Sequence, residues 1–141
     1  MKYIKKYNES KYLSKDGKEF DCFNQHLNNL PSIPDTVEII ICDNNYLTEL
    51  PELPKGLEIL YCYNNNLIKL PELPKGLEKL DCSYNNLKEL PELPKGLKQL
   101  NCSNNNLSEI PRLPKGLVVL CCWNNNLPYE DLEEYWEWFY K

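Results

Sequence analysis

Residues 70–89 read LPELPKGLEKLDCSYNNLKE, and most of the chain is a variation on this stretch. From Gly17 to Leu127 the sequence repeats with a period of twenty residues, so equivalent positions form columns. The most regular columns hold an apolar residue (Phe20, Ile40, Leu60, Leu80, Leu100, Leu120), a cysteine (Cys22, Cys42, Cys62, Cys82, Cys102, Cys122), an amide (Gln25, Asn45, Asn65, Asn85, Asn105, Asn125) and a leucine (Leu27, Leu47, Leu67, Leu87, Leu107, Leu127). A period of this length is typical of a solenoid, in which each repeat packs on its neighbours.

Each repeat predicts one short β-strand. Around Leu80 and Cys82 apolar residues alternate with polar ones, which is the period of a half-buried strand. Leu80 and Cys82 then point into the coil, whereas Lys79, Asp81 and Ser83 point outward. Successive turns of the coil stack these strands in parallel.

The asparagine column predicts a ladder of buried amides. The chain must turn sharply after each strand, which leaves backbone N–H and C=O groups inside the coil without strand partners. A buried amide side chain supplies both a donor and an acceptor. We therefore expect five asparagines to stack from coil to coil as a structural ladder, namely Asn45, Asn65, Asn85, Asn105 and Asn125.

The segment LPELPKG predicts an extended return path on the convex side. Two prolines three residues apart disfavour a helix and favour polyproline II, which places Leu70 and Leu73 on one face. The glycines that follow predict a positive φ before the next strand; they are Gly76, Gly96 and Gly116. An extended convex side is thin, so we expect a shallow sheet face that suits a protein partner better than a small molecule.

The two ends differ from the repeat and predict caps on a single domain. Residues 1–16 are interpreted as an N-terminal cap, residues 17–127 as about five and a half repeats, and residues 128–141 as a C-terminal helical cap. Pro128 suits the first helical position. The apolar side of that amphipathic helix comprises Leu132, Tyr135, Trp136, Phe139 and Tyr140. Trp138 lies nearer its polar side, as a capping or a self-association contact.

The charge, the N-terminal residues and the cysteine spacing argue against several classes of function. A net charge of −5 argues against a nucleic-acid partner, which would require a basic patch. The basic N-terminal residues precede no apolar run, so we expect neither a secretory signal nor a membrane span. Six of the seven cysteines fall at the repeat period, which indicates packing and reduced thiols. We expect an intracellular setting, the cytoplasm of the producing cell or of a host.

The sequence gives little support to catalysis or metal binding. A straight row of thiols does not converge into the tetrahedral set that zinc requires, so the cysteine column predicts core packing. Cys121 lies on the outward strand face beside Trp123 and is the one candidate for a reactive thiol. His26, the single histidine, follows the first strand without a matching nucleophile. We therefore expect a non-enzymatic protein without cofactor or metal.

The outward strand positions provide a candidate partner site. Adjacent repeats place an apolar and aromatic group there, comprising Ile39, Ile41, Ile59, Tyr61 and Tyr63, with Tyr84 at its margin and Trp123 farther along. Contiguous apolar surface with aromatic residues is typical of protein-binding sites. The alternatives are that the N-terminal segment covers this group or that its residues carry no function.

The pattern LxxLxCxxNxL resembles the leucine-rich repeat, in particular the twenty-residue bacterial type of type III-secreted effectors and the repeat proteins of giant DNA viruses of amoebae. The resemblance covers about Phe20 to Leu127 and departs from the pattern at Gly17, Gln25 and Asp35–Thr36. It implies a right-handed solenoid with concave parallel strands, and a protein-binding module that is sometimes joined to a C-terminal ubiquitin-ligase domain. No ligase residue has an equivalent in this chain.

Three functions stay open at this point. The first is a protein–protein interaction module that acts through the exposed strand face, as a monomer, on an unidentified partner that includes host proteins. The second is a substrate-recognition adaptor for ubiquitin transfer by a separate catalytic chain. The third is a structural protein that assembles through the solenoid ends.

Overall fold

The computed structural model describes residues 11–141, and within them the repeat forms a six-stranded parallel sheet. The strands are β1 (Glu19–Asp21), β2 (Ile39–Ile41), β3 (Ile59–Tyr61), β4 (Lys79–Asp81), β5 (Gln99–Asn101) and β6 (Val119–Cys121). They pair in sequence order, and each residue lies opposite the one twenty positions later, as Leu60 lies opposite Leu80. The predicted solenoid with parallel strands is confirmed.

The core is a column of aliphatic and thiol side chains enclosed by the coil. Leu60, Cys62 and Leu67 are fully buried, and their equivalents in the neighbouring coils are buried as well. On the return path Leu70 and Leu73 are 8% and 6% exposed, so both prolyl-linked leucines face the core. Because every coil contributes the same set, the interior continues from one repeat to the next.

The prediction for the repeat glycines was wrong. Among the glycines only Gly17 has a positive φ, of 74°, so Gly76, Gly96 and Gly116 do not. Gly76 instead lies in a turn that the Leu77 N–H closes by donating to the Pro74 carbonyl at 3.1 Å. The residues other than glycine with a positive φ lie after the strands, at Asn24, His26, Asn44, Asn64, Tyr84, Asn104 and Asn124. Asparagine tolerates that conformation better than most residues.

Segments outside the repeat pair with the edge strands of the sheet. Next to β1, Leu13 forms an antiparallel bridge with Phe20, and the Asp21 N–H donates to the Tyr12 carbonyl at 2.8 Å. Next to β6, Cys121 forms an antiparallel bridge with Asp131. Residues 1–10 of the expected N-terminal cap lie outside the described residues, as does any cover that they give the strand face.

The C-terminal helix α1 (Leu132–Phe139) begins four residues later than Pro128, where we predicted its start. The reason is that the preceding backbone closes the sheet: the Cys122 N–H donates to the Glu130 carbonyl at 3.0 Å, and Asp131 is extended. Asp131 is the N-cap, and its side chain accepts a hydrogen bond from the Glu134 N–H at 2.9 Å.

The apolar side of α1 is covered less than expected. Tyr135 is 3% exposed, whereas Phe139 is 40% and Tyr140 is 78% exposed. Trp138 contacts Tyr129, with ring centroids 5.2 Å apart, and keeps 49% of its surface exposed. No helix within residues 11–141 has the length and hydrophobicity needed to cross a membrane.

Candidate functional site

The asparagines that follow the strands bridge neighbouring coils. The Nδ2 of Asn65 donates to the carbonyls of Cys42 and Cys62, at 3.0 and 3.2 Å, and its Oδ1 accepts from the Leu47 N–H at 3.0 Å. Asn45, Asn85, Asn105 and Asn125 make the same set of contacts one coil apart. These amides therefore satisfy backbone groups that the strands leave without partners.

The first coil lacks such an amide. Gln25 is exposed, and its Nε2 donates to the Phe23 carbonyl at 3.2 Å, within its own coil. Asn45 Oδ1 instead accepts from the backbone N–H groups of Gln25 and Leu27. The departure from the repeat thus falls at the end of the stack, where no earlier repeat needs the bridge.

The apolar group on the strand face is contiguous. Ile39 lies opposite Ile59, and Ile41 lies opposite Tyr61, so two adjacent strands bring four of its members together. The Asn44 side chain donates to the Tyr63 hydroxyl at 3.1 Å, which draws Tyr63 toward the preceding coil. All five side chains are half-buried. We call Ile39, Ile41, Ile59, Tyr61 and Tyr63 the apolar patch.

A buried carboxyl borders the apolar patch, and we did not single it out from the sequence. Asp43 is 5% exposed, and its Oδ1 accepts from the Tyr63 N–H at 2.8 Å. Burial raises the pKa of Asp43 to about 7, and the charges of Asp81 and Asp21 add to this effect. The available signal was its column, in which Asp43 stands between the aromatic residues Phe23 and Tyr63.

The other two aromatic candidates contact each other. Tyr84 and Trp123 are 52% and 43% exposed and contact each other edge to face, with ring centroids 6.4 Å apart. Polar residues separate Trp123 from the patch, since Tyr61 is followed across the sheet by Asp81 and then Asn101. Trp123 therefore lies apart from the apolar patch, in contact with Tyr84.

The cysteine column lies in the core. Cys22, Cys42, Cys62, Cys82, Cys102 and Cys122 are buried, and all seven thiols are free. Burial raises the pKa of Cys22 and of Cys122 to about 12, and it raises the pKa of the four thiols between them as well. A thiol that does not ionise is a poor nucleophile and a poor metal ligand. Within residues 11–141 no group of three or more His, Cys, Asp or Glu residues could hold a metal ion.

The remaining candidates for a reactive side chain are His26 and Cys121. His26 is exposed, stacks on Tyr46 with ring centroids 5.7 Å apart, and places Nδ1 3.2 Å from the Tyr46 hydroxyl. Cys121 is half-buried next to the chain segment that closes β6. Within residues 11–141 the recorded hydrogen-bond partner of the His26 ring is the Tyr46 hydroxyl.

Three similar grooves lie on the convex side. One of about 640 Å³ is lined by Leu53, Lys55, Pro71 and Leu73 among others, and grooves of about 420 and 490 Å³ repeat it at the next two coil boundaries. They are lined mainly by residues that recur from repeat to repeat. These grooves are therefore a consequence of stacking and differ little from one coil to the next.

The period, the parallel sheet and the asparagine bridges together define a leucine-rich-repeat solenoid, which is a common type of protein-interaction module. Residues 75–115 match the family model described as leucine-rich repeats in two copies. No curated protein matches the chain in sequence.

Solved structures similar to this chain include bacterial effectors. A Shigella effector leucine-rich-repeat domain is 34% identical with a TM-score of 0.83, and the alignment covers 90% of this chain and 58% of that one. YopM, a leucine-rich effector protein from Yersinia pestis, is 38% identical with a TM-score of 0.81, covering 89% of this chain and 36% of that one. YopM from Yersinia enterocolitica is 37% identical with a TM-score of 0.57, covering 72% and 27%. The chain thus spans between about a quarter and three fifths of these structures.

Proposed function

We propose that the chain is a non-enzymatic protein-binding module whose partner docks on the concave strand face at the apolar patch. The observation that carries this proposal is the pairing of Ile39 with Ile59 and of Ile41 with Tyr61 on adjacent strands. The outward residues of a solvated sheet face are normally polar. An apolar and aromatic face therefore indicates a surface that a partner covers.

The position of Tyr84 supports a binding role for the same side of the coils. Tyr84 adopts a φ of 52°, which is unfavourable for a bulky residue, whereas the equivalent position in the other five coils is asparagine. An aromatic residue that is both strained and half exposed is typical of a functional position. We place Tyr84 and Trp123 at the margin of the docking surface.

We also propose that the protein is a monomer. Both edges of the sheet are paired by segments outside the repeat, at Leu13 with Phe20 and at Cys121 with Asp131. A paired edge has no free row of backbone groups for another chain to join, which disfavours assembly through the solenoid ends. Light scattering over a wide concentration range tests this, and a mass that rises with concentration would support the structural role.

The similarity to bacterial effectors supports a proposal for the setting of the partner. We propose that the chain acts on a protein of a host cell, in its cytoplasm. An adaptor role in ubiquitin transfer would use the same surface, with the catalytic chain as an additional partner.

The decisive experiment is site-specific photo-crosslinking. A benzoyl-phenylalanine at Tyr61 should crosslink a partner protein in host-cell extract, whereas the same group at Lys75 on the convex side should not. Replacing Ile41, Tyr61 and Tyr63 with Ser should remove the interaction without unfolding the chain, because the three side chains are only half-buried. Ile68→Ser with Val118→Ser is the matched control, since those residues are 61% and 71% exposed and lie outside the patch. Crosslinking that survives the triple substitution would place the site elsewhere.

A further inference from the structure

Arg112 departs from the repeat on the convex side. It is the single arginine of the chain, and the equivalent positions of the three preceding coils hold glutamate, at Glu52, Glu72 and Glu92. Within residues 11–141 the ion pairs lie elsewhere, at Lys18–Glu38 and Lys98–Glu78. An arginine at this position therefore reverses the local charge and has no ion-pair partner in the described part of the chain.

Arginine at this position changes the charge of one convex groove. The first two grooves are each lined by two glutamates and two lysines. The third, of about 490 Å³, is lined by three basic residues and one acidic residue, which are Lys95, Arg112 and Lys115 against Glu92. Because the whole chain has a net charge of −5, this basic groove is a local exception on an acidic protein.

Arg112 also borders an aromatic cavity. This cavity, of about 480 Å³, lies between residues 108–112 and α1, and its walls include Tyr129, Trp138 and Phe139. The guanidinium carbon of Arg112 lies over the Phe139 ring, 5.6 Å from its centroid, which is within the range of a cation–π contact. Trp138 and Phe139 stay 49% and 40% exposed. Arg112 therefore lies at the boundary between the basic groove and the aromatic cavity.

The residue types at this boundary suit an anionic ligand with an apolar part. Tryptophan, tyrosine and arginine are the residues that most often dominate the binding free energy of an interface. A guanidinium binds a carboxylate through two parallel N–H donors and can keep an aromatic ring against its face at the same time. Glu109 lines the aromatic cavity. A carboxylate is therefore favoured on the groove side of Arg112, and an apolar side chain on the cavity side.

We propose that this end of the convex side binds an extended acidic segment of a partner protein. A glutamate or aspartate of the segment pairs with Arg112 over the basic groove, where Lys95 and Lys115 add to the attraction. An aliphatic side chain two residues away enters the aromatic cavity and covers Trp138 and Phe139. This surface is separate from the apolar patch, so the proposal goes beyond the function proposed above.

The test is an NMR titration of the full chain with short peptides that are acetylated and amidated, so that the side chain alone carries the charge. The probe SESLS places glutamate and leucine on the same side of an extended chain. We expect it to shift the indole signal of Trp138 and to bind about fivefold more tightly than SQSLS, because only the glutamate forms a charge-assisted pair with Arg112. SESSS, which lacks the leucine, should also bind more weakly than SESLS.

Arg112→Glu should remove the preference for SESLS over SQSLS. It introduces the residue of the preceding repeats, so the chain should still fold. Lys55→Glu is the matched control, because it makes the same change of charge at an exposed position of the first groove. The control should keep the preference of the unmodified chain.

Equal binding of SESLS and SQSLS would overturn the proposal, as would equal binding of SESLS and SESSS or the absence of any shift at millimolar peptide. Equal losses in Arg112→Glu and Lys55→Glu would mean general electrostatic attraction and would overturn it too. A phosphoserine peptide that shifts Trp138 where SESLS does not would replace it with a phosphorylated partner. Photo-crosslinking at Tyr61 should be unchanged in Arg112→Glu, so this proposal and the docking surface on the strand face can fail separately.

Discussion

Asn104 lacks a hydrogen-bond acceptor because Tyr84 occupies the position twenty residues before it. Two other pairs in this column are bridged: the Asn64 Nδ2 donates to the Asn44 Oδ1 at 2.5 Å, and the Asn124 Nδ2 donates to the Asn104 Oδ1 at 2.6 Å. The Asn104 Nδ2 is buried without a partner in the described chain. The presence of tyrosine instead of asparagine at position 84 thus interrupts the hydrogen bonds between asparagine side chains of this column.

The first prediction is that Tyr84→Asn stabilises the protein. Asparagine tolerates the φ of 52° and would supply the missing acceptor, so the free energy of unfolding should rise by about 1–2 kcal/mol. Urea unfolding measures the change. Tyr46→Asn, at an equally exposed tyrosine without a positive φ, should give no gain. A loss of stability in Tyr84→Asn would mean that the contact with Trp123 outweighs the strain.

The second prediction concerns the buried amides. Asn65→Ala removes donors to Cys42 and Cys62 and an acceptor for Leu47, so it should lower the unfolding free energy by about 3 kcal/mol or more. Asn66→Ala, at an exposed position, should cost well under about 1 kcal/mol. Asn64→Ala should fall between them, because alanine is disfavoured at its φ of 52°. Coinciding urea midpoints for all three variants would refute the bridging role of Asn65.

The third prediction follows from the repeat glycines. A Cβ at Gly76 would meet no atom within 4 Å, and its φ is not positive, so Gly76→Ala should be neutral or should stabilise by about 0.4–1 kcal/mol. Gly17→Ala should destabilise, because Gly17 has a φ of 74° and a Cβ there would lie 3.4 Å from the Thr36 hydroxyl. Thermal unfolding of the two variants distinguishes them, and a lower midpoint for Gly76→Ala would contradict the turn geometry.

The fourth prediction is a pH dependence of stability from Asp43. Its pKa is raised from 3.8 to about 7 in the folded chain, so the folded state binds the proton more tightly than the unfolded state. The associated stability is complete below about pH 4 and is lost as the pH rises through about 7, by at most roughly 4 kcal/mol. Asp43→Asn should flatten this part of the profile and be the more stable form at pH 8. Parallel profiles for the two proteins between pH 5 and 8 would show that Asp43 titrates normally.

The interior of the fold was predictable because its residues repeat. Leu80 and Cys82 recur every twenty residues, and a period that combines strand alternation with two prolines admits few backbones other than a stacked coil. The glycine prediction failed for a local reason. The pattern LPKGL does not distinguish a turn with a negative φ from one with a positive φ, and the hydrogen bond from Leu77 to Pro74 selected the former.

The ends were harder to predict. Pro128 and the acidic residues after it suit a helix N-terminus, but the sheet competes for the same backbone, and Glu130 and Asp131 pair with the last coil instead. Sequence periodicity indicates the secondary structure that a segment prefers in isolation. It does not report that an unpaired edge strand lies within reach.

The sequence by itself therefore determined the solenoid, the direction of its strands and the buried columns, because those features arise from contacts between identical positions. The tertiary structure decided what the variable residues do. Stacking the coils placed Ile41 beside Tyr61, brought Trp123 into contact with Tyr84, and buried the carboxyl of Asp43. These relationships depend on which residues become neighbours across the sheet and on how much of each side chain stays exposed to solvent.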